Sequence, residues 1–137
     1  MQVEPRVGCG AAIVVDGSIL LLRRRTEPEA GYWGLAGGKV DLFEPVADAV
    51  KREVAEELGI GIEPVTLLCV VDHIDRKAGI HWVAPVYRVD AYSGVPRLVE
   101  PDKHDGLDWF ALEAPPEPLT LAAKTAIALI RQGHTRG

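Results

Sequence analysis

The run Arg52-Glu53-Val54-Ala55-Glu56-Glu57 puts three glutamates and one arginine within six residues. On an α-helix, positions i, i+3 and i+4 share a face. Glu53, Glu56 and Glu57 therefore project together, while Val50, Val54 and Leu58, with Ala47, form an adjoining apolar stripe. Like charges at this spacing repel and lower helix stability. Near the helix C-terminus the macrodipole favours cations, which adds to the cost. Arg52 can offset part of it by an i, i+4 pair with Glu56. The remaining charge calls for a hard divalent cation held by carboxylate oxygens. The alternative is a solvated acidic face with one Arg–Glu pair.

The elements that must position these groups can be read from apolar patterning. Val7–Val15 reads as a strand, Asp16-Gly17 as a two-residue turn, and Ser18–Arg25 as the second strand of a hairpin. Thr26–Gly31 is a polar loop and Tyr32–Ala36 a short strand, which Gly37-Gly38 breaks before a loop over Lys39–Phe43. Glu44–Leu58 is the clearest helix, with Gly59 at the expected stop. Ile60–Asp75 is extended, with Val65–Val71 its apolar heart; Arg76–Gly79 is a turn, and Ile80–Tyr92 another strand. Ser93–Pro96 turns, Arg97–Gly106 is a polar connection, and Leu107–Phe110 is a short strand. Pro115, Pro116 and Pro118 stiffen a linker into an amphipathic helix over Leu119–Gln132, and the last residues are expected to be disordered. This order points to one α/β domain over residues 1–137, a sheet covered by helices.

Composition narrows the function classes. At 137 residues, 47% hydrophobic and 26% charged, the chain is of ordinary globular make-up. No apolar run approaches the roughly 20 residues that cross a bilayer. No basic-then-apolar leader opens the sequence, so the cytoplasm is the expected compartment. The net charge of −5 argues against a duplex nucleic-acid partner, which needs a concentrated basic surface. A single nucleotide remains compatible, because a metal ion can bridge protein carboxylates to phosphates. Cys9 and Cys69 sit in apolar strand-like runs with no Cys-x-x-Cys pair, and are read as free thiols.

Gly38, five residues, Glu44, seven residues, then Arg52-Glu53-Val54-Ala55-Glu56-Glu57-Leu58-Gly59-Ile60 resembles the Nudix signature at every fixed position. Trp33-Gly34-Leu35-Ala36-Gly37-Gly38 resembles that family's lead-in. The resemblance implies a Nudix-type α/β/α sandwich, with a mixed β-sheet flanked by helices and its catalytic segment at 38–60. It also implies a Mg²⁺- or Mn²⁺-dependent hydrolase that cleaves the diphosphate linkage of a nucleoside diphosphate derivative. Glu53, Glu56 and Glu57 would ligate the metal, with the Gly37 carbonyl as a further ligand. Glu44, opening the helix, would support the metal shell, and Arg52 would hold the glutamates in place. Either Glu53 or a carboxylate outside the segment would deprotonate the attacking water. A homodimer is the family's expectation. Two positions depart from its pattern: Ala36 stands where proline is common, and Phe43 precedes Glu44 where glycine is common. The latter puts loop geometry in question.

Substrate markers are sparser. The proline or tyrosine that distinguishes ADP-ribose or dinucleoside-polyphosphate enzymes is absent from Asp75–Ala78. The stretch Val99-Glu100-Pro101-Asp102-Lys103-His104 followed by Asp108-Trp109-Phe110 resembles the pattern of Nudix enzymes that act on nucleoside triphosphates. Glu100 is then a further metal ligand or base, or simply a partner of Lys103. (Deoxy)nucleoside triphosphates are the expected substrates; ADP-ribose or a nucleotide sugar is the alternative, and a non-catalytic nucleotide-binding regulator the next. Trp82, Trp109 and Phe110 offer aromatic faces for a base, with core packing the competing reading. Among Arg23, Arg24 and Arg25, Arg25 is taken with Lys39 and Trp82 as a substrate contact. His73 and His81 could face each other across their turn. Leu121, Ile127, Ala128 and Ile130 read as a core or dimer face.

Overall fold

Alternation along the first strand sets the architecture. In the computed structural model, which describes residues 2–64 and 66–133, β1 (Arg6–Val15) is buried from Gly8 to Val14. Successive side chains point to opposite faces. Cys9, Ala11 and Ile13 pack with Leu20 and Leu22 of β2 (Ser18–Arg24) and with Ala49, Val50, Val54 and Leu58 of α1 (Val46–Leu58). Ala12 and Val14 join Ile19 and Leu21 on the other face, against Ala123, Ala126, Ile127 and Ile130 of α2 (Leu121–Arg131). One sheet thus lies between two helices, as expected.

The remaining strands are β3 (Trp33–Gly34), β4 (Ala36–Lys39), β5 (Thr66–Asp75), β6 (Ile80–Val89) and β7 (His104–Ala111). The sheet runs β3-β2-β1-β6-β5, with β4 on β1 and β7 on β2. It is mixed: β1 and β6 are parallel, and the other pairs are antiparallel. Asp16 and Gly17 turn β1 into β2 with positive φ at both residues, 52° and 76°, the geometry whose twist suits a hairpin. Beyond that hairpin the sheet forks, since β4 takes the edge of β1 over Gly8–Ala11 while β2 takes it at Val14 and Val15.

Several boundaries differ from expectation. Gly37-Gly38 does not break a strand; both glycines pair with β1 inside β4, opposite Gly10 and Cys9. The Tyr32–Ala36 strand resolves into β3 and the start of β4 on either side of Leu35. The helix begins at Val46 because Pro45, at φ −61° and ψ 144°, is its extended N-cap, so Glu44 lies outside it. Ala49, not Ala47, completes the buried stripe. Gly59 ends α1 as foreseen, left-handed at φ 69°, its N–H on the Ala55 carbonyl. The extended segment after Gly59 pairs as β5 only from Thr66, and the next strand ends at Val89. The short strand at Leu107–Phe110 starts earlier, at His104, where β2 supplies partners. Leu121 and Ala128 face outward on α2, while Thr120 caps it by accepting the Ala123 N–H at 3.2 Å. Both cysteines are free thiols, and burial pushes Cys9 up to about 11. Val65, expected in the apolar heart of the extended segment, and the chain end at 134–137 lie outside the described residues. No helix among the described residues is long and apolar enough to cross a membrane.

Candidate active site

The acidic helix meets the sheet at β4. Glu57 is only 7% exposed, and its Oε1 accepts the Gly37 N–H at 2.8 Å. Burial pushes its carboxyl up to about 8; the Gly37 N–H draws it down, while Glu53 and Glu100 push it further up. Glu53 lies one turn earlier, against Gly38, where a Cβ would overlap its Oε2. Burial raises Glu53 as well, with Arg52 opposing and Glu56 adding to the shift. The glycines follow from this packing: at Gly37 a Cβ would run into the Cys9 carbonyl, and at Gly38 it would take the place of the Glu53 carboxylate.

Arg52 organises the outer ring. Its Nε and Nη2 grip Glu44 at 2.8 and 3.0 Å, Nη1 donates to Glu56 at 2.8 Å, and Nη2 also reaches the Lys39 carbonyl at 3.0 Å. Paired donors of this planar kind fix a carboxylate in orientation as well as distance. Glu44, which also accepts the Asp41 N–H at 3.1 Å, is held below the usual carboxylate range by Arg52. Glu56 is thus the outermost of the three helix glutamates and already has a cation, while Glu57 accepts the Gly37 N–H.

A second segment closes over this site. The Arg97 and Val99 amides donate to the Leu58 and Glu57 carbonyls, tying residues 97–103 to the end of α1. Glu100 pairs with Lys103 at 3.3 Å, and the fields of both reach Glu57. His104 was given no role by sequence reasoning; the only signal was its place as the first residue of β7, four after Glu100. Its ring is buried, with Nε2 3.7 Å from Glu57 Oε2 and Nδ1 without a hydrogen-bond partner among the described residues. Burial lowers its basicity, so this is a neutral imidazole beside a carboxyl, not a salt bridge.

On the α2 side of the sheet a cleft of about 280 Å³ runs from Gly37, Gly38 and Lys39 across the bare backbone of Gly8 and Gly10. Its walls carry Trp82, His73, Leu35, Arg24, Glu29 and Thr120. His73, Trp82 and Arg6 are cross-strand neighbours, and the Arg6 guanidinium lies 5.9 Å from the Trp82 ring centre. Lys39 and Trp82 are therefore brought to one cleft. Arg25 is not: it is spent on holding the 101–103 loop, through Nη1 to the Pro101 carbonyl at 3.0 Å and its N–H to Lys103. Arg24 takes its place in the cleft. His73 and His81 lie on opposite faces of the sheet, because their register partners are Trp82 and Ile74. Trp109 stacks on Tyr92 with centroids 6.0 Å apart, and Phe110 meets Trp33 edge-on at 4.9 Å. Both rings serve packing.

The donors suit a hard cation in kind, since carboxylate oxygens outnumber the cations around Glu53 and Glu57 and burial raises both groups. Among the described residues no three such side chains already converge into a cage.

The architecture is thus a mixed sheet between two helices, with α1 turning Glu53 and Glu57 toward the glycines of β4. The NUDIX domain model matches residues 4–131, and the chain belongs to that family. It is similar to the crystal structure of a MutT NUDIX hydrolase from Burkholderia pseudomallei, 64% identical with a TM-score of 0.90, over 91% of this chain and 97% of that one. CTP pyrophosphohydrolase of Escherichia coli is 34% identical over 88% of this chain and 90% of its own length. ADP-ribose pyrophosphatase of Methanocaldococcus jannaschii is 34% identical over 69% of this chain; the match spans 56% of that protein.

Proposed function

We propose that this chain is a Mg²⁺- or Mn²⁺-dependent pyrophosphohydrolase that converts (deoxy)nucleoside triphosphates to the monophosphate and pyrophosphate. The observation that carries the reading is the approach of Glu100 and Lys103, from a separate segment tied to the Glu57 carbonyl, to the Glu57 carboxyl, with Lys103 also reaching Glu53. The resemblance of that segment to triphosphate-acting Nudix enzymes, and the likeness to CTP pyrophosphohydrolase over nearly the whole of both chains, point the same way.

Glu53, Glu56, Glu57 and the Gly37 carbonyl are the groups that would hold the metal. When bound, a divalent ion polarises a phosphoryl oxygen and lowers the pKa of its water. The chain's own residues do the rest. The Gly37 N–H fixes the Glu57 carboxylate, and Arg52 fixes Glu44 and Glu56. Glu53 or Glu100 accepts the proton of the attacking water, whose oxygen bonds to phosphorus as the pyrophosphate leaves. Lys39 faces the phosphates in the cleft, and Trp82 offers its ring to the base.

ADP-ribose is the second reading, favoured by the likeness to ADP-ribose pyrophosphatase. Chromatography of products from triphosphates, ADP-ribose and nucleotide sugars, with Mg²⁺ or Mn²⁺ and with chelator, separates the two. Monophosphate and pyrophosphate from a triphosphate, only with metal, is the expected result. AMP and ribose phosphate from ADP-ribose alone would overturn it. Tight nucleotide binding with no product under metal saturation would favour a regulator.

A further inference from the structure

The wall of the cleft formed with the start of α2 holds a carboxylate that phosphate chemistry does not use. Glu29 lines the cleft beside the start of α2, with its backbone in the left-handed region at φ 64°. A non-glycine residue stays there only where its surroundings hold it. Four hydrogen bonds do so. Arg24 Nε donates to the Pro28 carbonyl at 2.9 Å, the Gly31 N–H to the Arg24 carbonyl at 2.7 Å, the Tyr32 N–H to the Glu29 carbonyl at 3.1 Å, and the Leu121 N–H to Glu29 Oε2 at 2.9 Å. Glu29 Oε1 has no hydrogen-bond partner among the described residues.

An ionised carboxylate only accepts. One oxygen is fixed by α2, so the other is a pre-set acceptor in a cleft that also carries Trp82. We propose that Glu29 is a specificity-determining residue that selects nucleobases bearing an exocyclic amino group, cytosine and adenine over uracil and hypoxanthine. The inference rests on the reading of this cleft as the base site of a nucleotide hydrolase. Carboxylates accept well from the cytosine amino group. Uracil and hypoxanthine put a carbonyl oxygen where that amino group stands, and their ring N–H lies beside an oxygen the carboxylate repels.

Glu29→Gln gives a sharp test. Its amide oxygen replaces Oε2 as acceptor of the Leu121 N–H, which leaves an NH₂ donor where Oε1 stood. Calorimetry of CMP against UMP, and AMP against IMP, reads the base site without metal or cleavage. The same pairs as triphosphates, with Mg²⁺, are compared by kcat/KM. Wild type is expected to favour the amino base by about tenfold or more. Glu29→Gln, folded as judged by its Tm, should bring the ratio to one or reverse it. Glu29→Ala, which removes the acceptor without adding a donor, should bring it to about one and serves if the glutamine variant does not fold. A wild-type ratio within twofold of one, or an unchanged ratio in a folded variant, overturns the assignment while triphosphate turnover stands. Cleavage of ADP-ribose but no triphosphate, with the CMP preference intact and lost in the variant, overturns the triphosphate reading and keeps Glu29.

Discussion

Glu57→Gln probes whether α1 carries a charge that its own fold disfavours. Glu57 is 7% exposed, bonded to the Gly37 N–H, and repelled by Glu53 and Glu100. Burial pushes its carboxyl up to about 8 in the folded chain, against the ordinary glutamate value of 4.5. Between those two pH values the folded state holds a proton that the unfolded state has released. The stabilisation is full below the unfolded pKa and disappears as pH rises through about 8. The slope is at most about 1.4 kcal/mol per pH unit, and the whole effect is on the order of 5 kcal/mol. Glutamine keeps an oxygen for the Gly37 N–H and cannot ionise. Urea unfolding of both proteins in chelator, from pH 5 to 9, measures the difference. The wild type should lose stability relative to the variant over this range, until the variant is the more stable by several kcal/mol at pH 9. Mg²⁺ or Mn²⁺ should restore the wild type at high pH, because binding favours the ionised carboxylate, and stabilise the variant less. Parallel pH profiles for the two proteins would refute the desolvated carboxylate and the reason given for a metal there.

Other substitutions probe the surrounding parts. Gly38→Ala places a methyl on the Glu53 carboxylate, so kcat/KM should fall about 100-fold or more with the fold retained on circular dichroism. Gly37→Ala meets the Cys9 backbone instead and should lose on the order of 3 kcal/mol in urea unfolding, since backbone cannot step aside. Phe43 is 94% exposed with φ 69°, so Phe43→Gly should relieve strain and stabilise by up to about 1 kcal/mol after the entropy of glycine is set against it; a lower Tm would contradict the strain. Arg52→Lys cannot grip Glu44 through two nitrogens while holding Glu56 and the Lys39 carbonyl; it should cost about 1–3 kcal/mol and lower turnover.

The two layers and the helix were legible because their signals are periodic. Val50, Val54 and Leu58 repeat at helical spacing, and the apolar run in β1 is long enough to need cover on both faces. Glycine misled at Gly37-Gly38, since it marks either a break or a strand pressed against something, and only the positions of Cys9 and Glu53 decide which. Glu44 was placed in the helix because propensity reads through Pro45, whereas proline's fixed φ and missing N–H suit the residue that opens one. Glu100 was found by pattern, but nothing in one dimension shows a loop folding back onto the end of α1. His104 and Glu29 were missed for the same reason: each is made interesting by an unpartnered atom, His104 Nδ1 or Glu29 Oε1, and hydrogen bonding across the chain has no local signature. Arg24 and Arg25 could not be told apart until the bulge between Arg23 and Arg24 in the β2–β7 pairing set their directions.

β4 is where these arguments meet. Gly37 and Gly38 line the cleft on the α2 side and also touch the carboxylates that α1 presents from the opposite side. An ordinary strand separates the two faces of a sheet, because each residue sends its side chain to one of them. Without side chains these residues separate nothing, and the fork between β2 and β4 leaves their edge uncovered by the hairpin. A ligand in the cleft can therefore lie against the same peptide units that hold Glu57, with Lys39 next in sequence to face its phosphates. The base-reading end at Glu29 stays fixed to α2 through Leu121. Cleavage and base choice would then be separable by mutation, with changes at Gly38 or Glu57 acting on turnover and changes at Glu29 acting on the ratio between bases. A Gly38→Ala variant that altered the CTP-to-UTP ratio as strongly as its turnover would show that the two ends are not independent.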